Sequence, residues 1–174
     1  GAQIPLKVTF NNARTKKDLA TKICNTLIAD EEKFNSMLND NQYLAQYGFD
    51  SLTVMSMFLP NTYEMYWTTD EDALFKRMKK EHDRFWNEER MKKATALNLT
   101  PIQVSVLASI VQGETQMNDE KPRVAGVYLN RLKIGMLLQA DPTVVFANQD
   151  FTIKRVLNKH LEIDSPYNTY KYAG

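Results

Sequence analysis

Residues 100–115, Thr-Pro-Ile-Gln-Val-Ser-Val-Leu-Ala-Ser-Ile-Val-Gln-Gly-Glu-Thr, constrain the fold more than any other stretch of the chain. Thr100-Pro101 is a helix start, with proline at the first helical position, where its missing N–H has no partner to lose. Ile102, Val104, Val106, Leu107, Ala108, Ile110 and Val111 then leave the helix apolar on most sides. Such a helix is expected to be central and buried. Glu114 follows Leu107, Ile110 and Val111 at helical spacing, so its carboxyl shares their stripe. On that stripe, desolvation and the negative end of the helix dipole both disfavour the ionised form. The expected result is a carboxylic acid able to donate a proton near neutral pH. An ordinary helix-end salt bridge to Lys121, Arg123 or Arg131 fits the periodicity as well.

The other elements read as a helix-rich α+β chain. Leu6, Val8 and Phe10 alternate with polar residues as in a half-buried strand. Thr15 with Asp18 signals a helix start, and Leu19, Ala20, Ile23, Cys24, Leu27 and Ile28 continue it as one stripe. Two short helices are expected around 30–39 and 41–47. Pro60-Asn61 is turn chemistry, and the aromatics after it alternate loosely as in a strand. Phe58, Tyr63, Tyr66 and Trp67 suit either core packing or the wall of a sugar-binding cleft. Thr69 with Asp70, Glu71 and Asp72 opens a helix of about twenty residues whose apolar face carries Leu74, Phe75, Met78, Phe85 and Trp86 and whose other face is mixed in charge. A helix over about 120–134 stops at Gly135, and Asp141-Pro142 has the form of a cap followed by a first-turn proline. A short helix or turn lies within 151–161.

Composition removes several functions. With 22 Lys plus Arg against 21 Asp plus Glu, the net charge of +1 gives no general field for nucleic acid or anionic lipid. The one cysteine, Cys24, cannot close an internal disulfide, and it excludes a cysteine-based zinc site. His82 and His160 are isolated, so no metal is expected. No phosphate-binding glycine loop and no Ser/His/Asp arrangement is present. No run of about 18 apolar residues occurs, and residues 1–5 lack the features of a signal peptide. Besides Glu114, the cleft candidates are Gln139, Asp141 and the polar run Tyr167-Asn168-Thr169-Tyr170.

Four linked segments resemble the YceG-like endolytic murein transglycosylases of bacterial cell-wall metabolism. They are 107–115 (Leu-Ala-Ser-Ile-Val-Gln-Gly-Glu-Thr), 124–132 (Val-Ala-Gly-Val-Tyr-Leu-Asn-Arg-Leu), 135–144 (Gly-Met-Leu-Leu-Gln-Ala-Asp-Pro-Thr-Val) and 165–170 (Ser-Pro-Tyr-Asn-Thr-Tyr). Phe58-Leu59-Pro60-Asn61-Thr62-Tyr63 is similar to a further family segment. The resemblance implies that Glu114, in the Glu-Thr pair, is the catalytic acid. Gln112 stands where many relatives carry another glutamate, so no acid is required there.

The resemblance further implies a lytic reaction on the β-1,4 bond between N-acetylmuramic acid and N-acetylglucosamine. Glu114 would protonate the glycosidic oxygen, then take the proton of the muramoyl C6 hydroxyl as that oxygen closes on C1. One carboxylate suffices for both steps, whereas ordinary glycosidases use two. Gln139, Asn130, Asp141, Asn168 and Tyr170 are expected to bind sugar, with Tyr63 as a stacking wall. Residues 1–58 are read as a small N-terminal α/β lobe, partly LysM-like. Residues 59–174 are read as the catalytic region around the central helix. Relatives carry a cytoplasmic segment and one membrane helix, so the domain is expected outside the inner membrane and cut short at both ends. Its expected partners are peptidoglycan strands and cell-wall synthesis proteins. Relatives have also been labelled aminodeoxychorismate lyases, but no residue pattern points to a pyridoxal-phosphate lysine, and no cofactor is expected. A non-catalytic glycan-binding module is the competing expectation.

Overall fold

The computed structural model describes residues 4–173. The chain divides into two compact units, the first ending at Ile102 and the second beginning at Gln103. The first unit holds β1 (Leu6–Phe10), α1 (Lys16–Cys24), α2 (Glu31–Met37), α3 (Asn41–Ala45), a 3-10 turn (Val54–Met57), β2 (Asn61–Met65), α4 (Glu71–Phe85) and α5 (Glu88–Ala96). The second holds most of α6 (Pro101–Glu114), then α7 (Lys121–Lys133), α8 (Asp141–Asn148) and α9 (Asn158–Leu161). This is the helix-rich α+β class expected, with one two-stranded sheet among the described residues. Among those residues no single helix is long and apolar enough to cross a membrane.

β1 and β2 pair antiparallel, with Leu6 opposite Met65, Val8 opposite Tyr63 and Phe10 opposite Asn61. The period of two puts Val8, Phe10, Tyr63 and Met65 on one buried face. Thr15 caps α1 through a reciprocal capping box with Asp18, as its spacing predicts. Leu19, Ala20, Ile23 and Cys24 form the buried side of α1, but the helix stops there, and Ile28 is 57% exposed. Phe75 of α4 sits among the rings of Phe34, Tyr43, Tyr47 and Phe58, with centroids 5.1–5.7 Å away. Offset and edge contacts of this kind add to the area they bury.

The structure corrects the expected boundary after residue 58. β2 lies beyond that point yet completes the sheet begun by β1, and Leu74, Phe75 and Met78 of α4 belong to the same core as Val8 and Phe34. The long helix expected after Thr69 is two helices. Asp70 is the cap, accepting from the Ala73 N–H at 2.9 Å, and Trp86 leaves helical geometry so that Asn87 caps α5. The apolar face also ends early, since Phe85 is exposed.

In the second unit, α6 starts at Pro101 as expected, but it is not buried on most sides. Only Leu107, Ile110 and Val111 are buried, and Val106 is 49% exposed. Burial is confined to the face that carries Leu107, Ile110 and Val111, and the apolar composition of the other faces does not enforce it. α7 ends at Gly135, whose φ of +68° suits a residue without a Cβ. There the Met136 N–H donates to Arg131 O (2.8 Å) and the Gly135 N–H to Leu132 O (3.2 Å), satisfying two terminal carbonyls.

Candidate functional site

An open cleft of about 380 Å³ in the second unit is lined by Glu114, Val124, Val127, Tyr128, Arg131, Gln139, Asp141 and Tyr170. Three segments build it. α6 ends on Glu114. α7 contributes Val124, Val127, Tyr128 and Arg131, which recur at the spacing of one helical face. The strand-like lead into α8 alternates, with Leu138 and Ala140 buried while Gln139 and Asp141 are exposed to the cleft.

Close packing fixes where α6 delivers its glutamate. A Cβ on Gly113 would stand 2.7 Å from Pro142 Cβ and 3.0 Å from Pro142 Cγ, so only glycine lets the start of α8 approach this near. Glu114 is exposed, not buried, and the desolvation expected from its stripe is absent. Nor does the salt-bridge alternative hold: among the described residues Glu114 makes no ion pair with Lys121, Arg123 or Arg131. Its partner is the Tyr128 hydroxyl, which donates to Oε1 at 2.7 Å. Tyr128 is 6% exposed. Burial, and then the bond to Glu114, push its phenol well above the ordinary range, so it stays a donor.

The second carboxylate is held in the same way. Asp141 Oδ1 accepts from the Tyr170 hydroxyl at 2.6 Å. That hydrogen bond, with some burial, pushes the Tyr170 phenol up to about 12. Asp141 is the first residue of α8 and its backbone cap is Ala140, so the expected capping role is corrected: its carboxylate turns to Tyr170 instead. A carboxylate in the first turn of a helix is still favoured by the dipole. Arg131 donates to the Leu138 carbonyl and supplies the positive charge beside the two phenols.

A buried threonine network ties the two sides of the cleft together. The Gln139 N–H donates to Thr169 O (3.0 Å), the Ala140 N–H to Thr169 Oγ1 (3.0 Å), and the Thr143 and Thr169 hydroxyls meet at 2.8 Å. Gln139 takes a φ of +51°, a conformation that costs energy for a residue with a Cβ and that the surrounding bonds hold in place. Asn168 is wholly buried. Its amide donates to Leu161 O and Ile163 O, and its Oδ1 accepts from the Tyr170 N–H. Its polar atoms therefore serve the loop that presents Tyr170, which is a structural place and not a sugar-facing one.

Of the residues expected at the site, the structure brings Glu114, Gln139, Asp141 and Tyr170 into one cleft. Asn130 is exposed on α7 and is not among the lining residues. Tyr63 is buried in the first unit, stacked on Phe10 at 5.2 Å, with its hydroxyl on Leu59 O. The stacking surface expected of it is taken up by core packing. Tyr128, Arg131 and Gly113 are site residues that sequence reading did not select. The spacing of Val124, Val127, Tyr128 and Arg131 carried that signal, and Gly113 left none, because its role depends on Pro142, far along the chain. Among the described residues no group of three or more His, Cys, Asp or Glu could hold a metal ion.

The YceG-like family model matches residues 1–174. A Bacillus subtilis protein named endolytic murein transglycosylase is 48% identical over 68 residues, 39% of this chain and 19% of that protein. A Streptococcus pneumoniae protein of the same name is 33% identical over 81 residues, 44% of this chain and 15% of that protein. The crystal structure of a yceG-like protein from Listeria monocytogenes superposes with a TM-score of 0.79. That likeness covers 98% of this chain and 60% of the other at 24% identity, and it shows a shared fold. The matches thus span less than two thirds of each relative.

Proposed function

The chain belongs to the YceG-like family, and from that premise we propose that it is the catalytic part of a murein transglycosylase that cleaves glycan strands of bacterial peptidoglycan. The observation that carries the reading is the pairing of Glu114 with Tyr128 in an open, polar cleft with Gln139, Arg131 and the Asp141–Tyr170 pair. The cleft suits a sugar polymer, being open and rich in hydrogen-bonding groups.

In this reaction Glu114 gives its proton to the glycosidic oxygen between N-acetylmuramic acid and N-acetylglucosamine as the C1–O bond breaks. The resulting carboxylate then takes the proton of the muramoyl C6 hydroxyl while that oxygen bonds to C1. The product is a 1,6-anhydro end, no water is consumed, and Glu114 is restored. Exposure of the carboxyl lets it reach a substrate oxygen without a conformational change. Gln139 and Tyr170 bind sugar hydroxyls, and the Asp141 carboxylate stabilises the oxocarbenium-like centre. The domain works outside the cytoplasmic membrane as part of a membrane-anchored protein.

Asp141 gives ordinary hydrolysis a specific claim, because two carboxylates are what that reaction needs. Mass spectrometry of fragments released from purified sacculi by the full-length protein separates the two reactions. Anhydro ends are expected, reducing ends would indicate hydrolysis, and intact strands with measurable binding would indicate a recognition module.

A further inference from the structure

The bond between Tyr128 and Glu114 treats the two carboxyl oxygens differently. Oε1 receives a phenol hydrogen at 2.7 Å from a ring that is itself almost wholly buried, while Glu114 as a residue remains exposed to the cleft. We propose that Tyr128 is a positioning residue that reserves Oε1 as an acceptor and leaves Oε2 as the oxygen that carries and returns the transferred proton. The inference rests on the reaction given above for Glu114.

The reasoning is one of hydrogen-bond inventory. A carboxylate accepts on both oxygens, whereas a carboxylic acid has one oxygen that donates and one that accepts. With a phenol already donating to Oε1, the acid form keeps its proton on Oε2, because the carbonyl oxygen of a carboxylic acid accepts that bond better than its hydroxyl oxygen does. The Tyr128 bond can persist in both protonation states, and the side chain need not change rotamer between protonating the leaving oxygen and deprotonating the C6 hydroxyl. Tyr128 keeps its own proton throughout, because burial and the neighbouring carboxylate both oppose a phenolate. The ring is set by its place on α7 between Val124 and Arg131, at the spacing that faces the cleft. Tyr128 thus acts through Glu114 and has no role in moving the proton itself.

The test is the steady-state kinetics of the full-length enzyme on purified glycan strands, with Tyr128→Phe and Glu114→Gln measured together. Tyr128→Phe keeps the ring and removes the donor, and it should lower kcat about 10-fold or more while KM stays within about two-fold, the loss expected when a reacting group is no longer held in place. The melting temperature is followed in parallel. An unchanged kcat, or a loss carried by KM, overturns the proposal. In the double variant the second substitution should add nothing, and a further loss when Tyr128→Phe is added to Glu114→Gln would also overturn it. Tyrosine fluorinated on the ring, introduced at position 128, covers the case in which the Phe variant does not fold: it keeps the shape and alters only the donor strength. kcat should then change by about three-fold or more with KM constant, and a kcat indifferent to fluorination overturns the proposal. The Glu114→Gln arm separates the two readings. If that variant keeps parental activity, the proposed reaction fails; if it is inactive while Tyr128→Phe is unaffected, only the positioning role fails.

Discussion

Replacing Gly113 by alanine adds one methyl at the tightest point behind the site. Its Cβ would stand 2.7 Å from Pro142 Cβ, about 0.7 Å short of the 3.4 Å at which ordinary contact begins. Proline is a rigid ring at the start of α8, so the relief must come from the backbone on one side or the other. Overpacking of this kind costs about 1–3 kcal/mol. Alanine returns up to about 1 kcal/mol through its better helix propensity. The net loss of stability should therefore be about 0–3 kcal/mol, and the protein should fold. The site should feel more, because Glu114 is the next residue on one side of the contact and Asp141 the preceding residue on the other. A shift approaching 1 Å between reacting groups is expected to cost about 10- to 100-fold in rate. Release of anhydro fragments, measured beside thermal unfolding, reads both effects. Gly126→Ala on α7 is the control, since nothing lies within 4 Å of its added methyl. A Gly113→Ala enzyme with parental rate and stability would refute the claim that this contact sets the position of Glu114.

Two predictions concern the first unit. Burial pushes the Glu71 carboxyl up, but bonds from Lys33 Nζ (2.8 Å) and the Asp30 N–H (2.7 Å) outweigh it and hold the group below the usual carboxylate range. That stability is present above the unfolded value, about 4.3, and is lost as pH falls through the lower folded value. Glu71→Gln should cost about 2 kcal/mol at neutral pH and flatten the acid limb of the unfolding curve, and an unchanged limb would count against it. His82 is buried against Phe49 and Trp86, and burial lowers its basicity despite the adjacent Asp83, with Lys79 adding to the effect. The folded state therefore favours neutral imidazole, and its contribution is complete above the unfolded value, about 6.5, and lost as pH falls below it. His82→Phe should remove that slope from chemical denaturation between pH 5 and 7, and a slope that persists would place its origin elsewhere.

Much of this architecture could be read residue by residue. Caps and starts set by local chemistry, such as Thr15 with Asp18, Pro101 and Gly135, stand where the sequence puts them. The alternation of Val8 and Phe10 is that of the observed strand, because a period of two determines which side chains share a face. Readings that depended on partners distant in the chain fared differently. Apolar composition made α6 look buried all round, yet burial depends on what covers each face, and only the 107–110–111 face is covered. Asp141 had the form of a helix cap until Tyr170, 29 residues away, claimed its carboxylate. Asn168 looked like a sugar ligand because it is polar within a polar run, but its amide closes the loop from Leu161 to Tyr170. Tyr128 was legible in principle from its place on the cleft face of α7, whereas its bond to Glu114 required the fold.

The most direct test of the central claim is the end-group composition of glycan fragments released by full-length enzyme carrying Glu114→Gln, compared with the parent on the same sacculi. The substitution keeps the shape of the side chain and an acceptor for Tyr128 while removing the transferable proton. Anhydro-muramoyl ends should be abundant with the parent and reduced by about 100-fold or more in the variant, the lower bound for loss of a general acid. Anhydro ends formed at the parental rate by the Glu114→Gln enzyme would contradict the account.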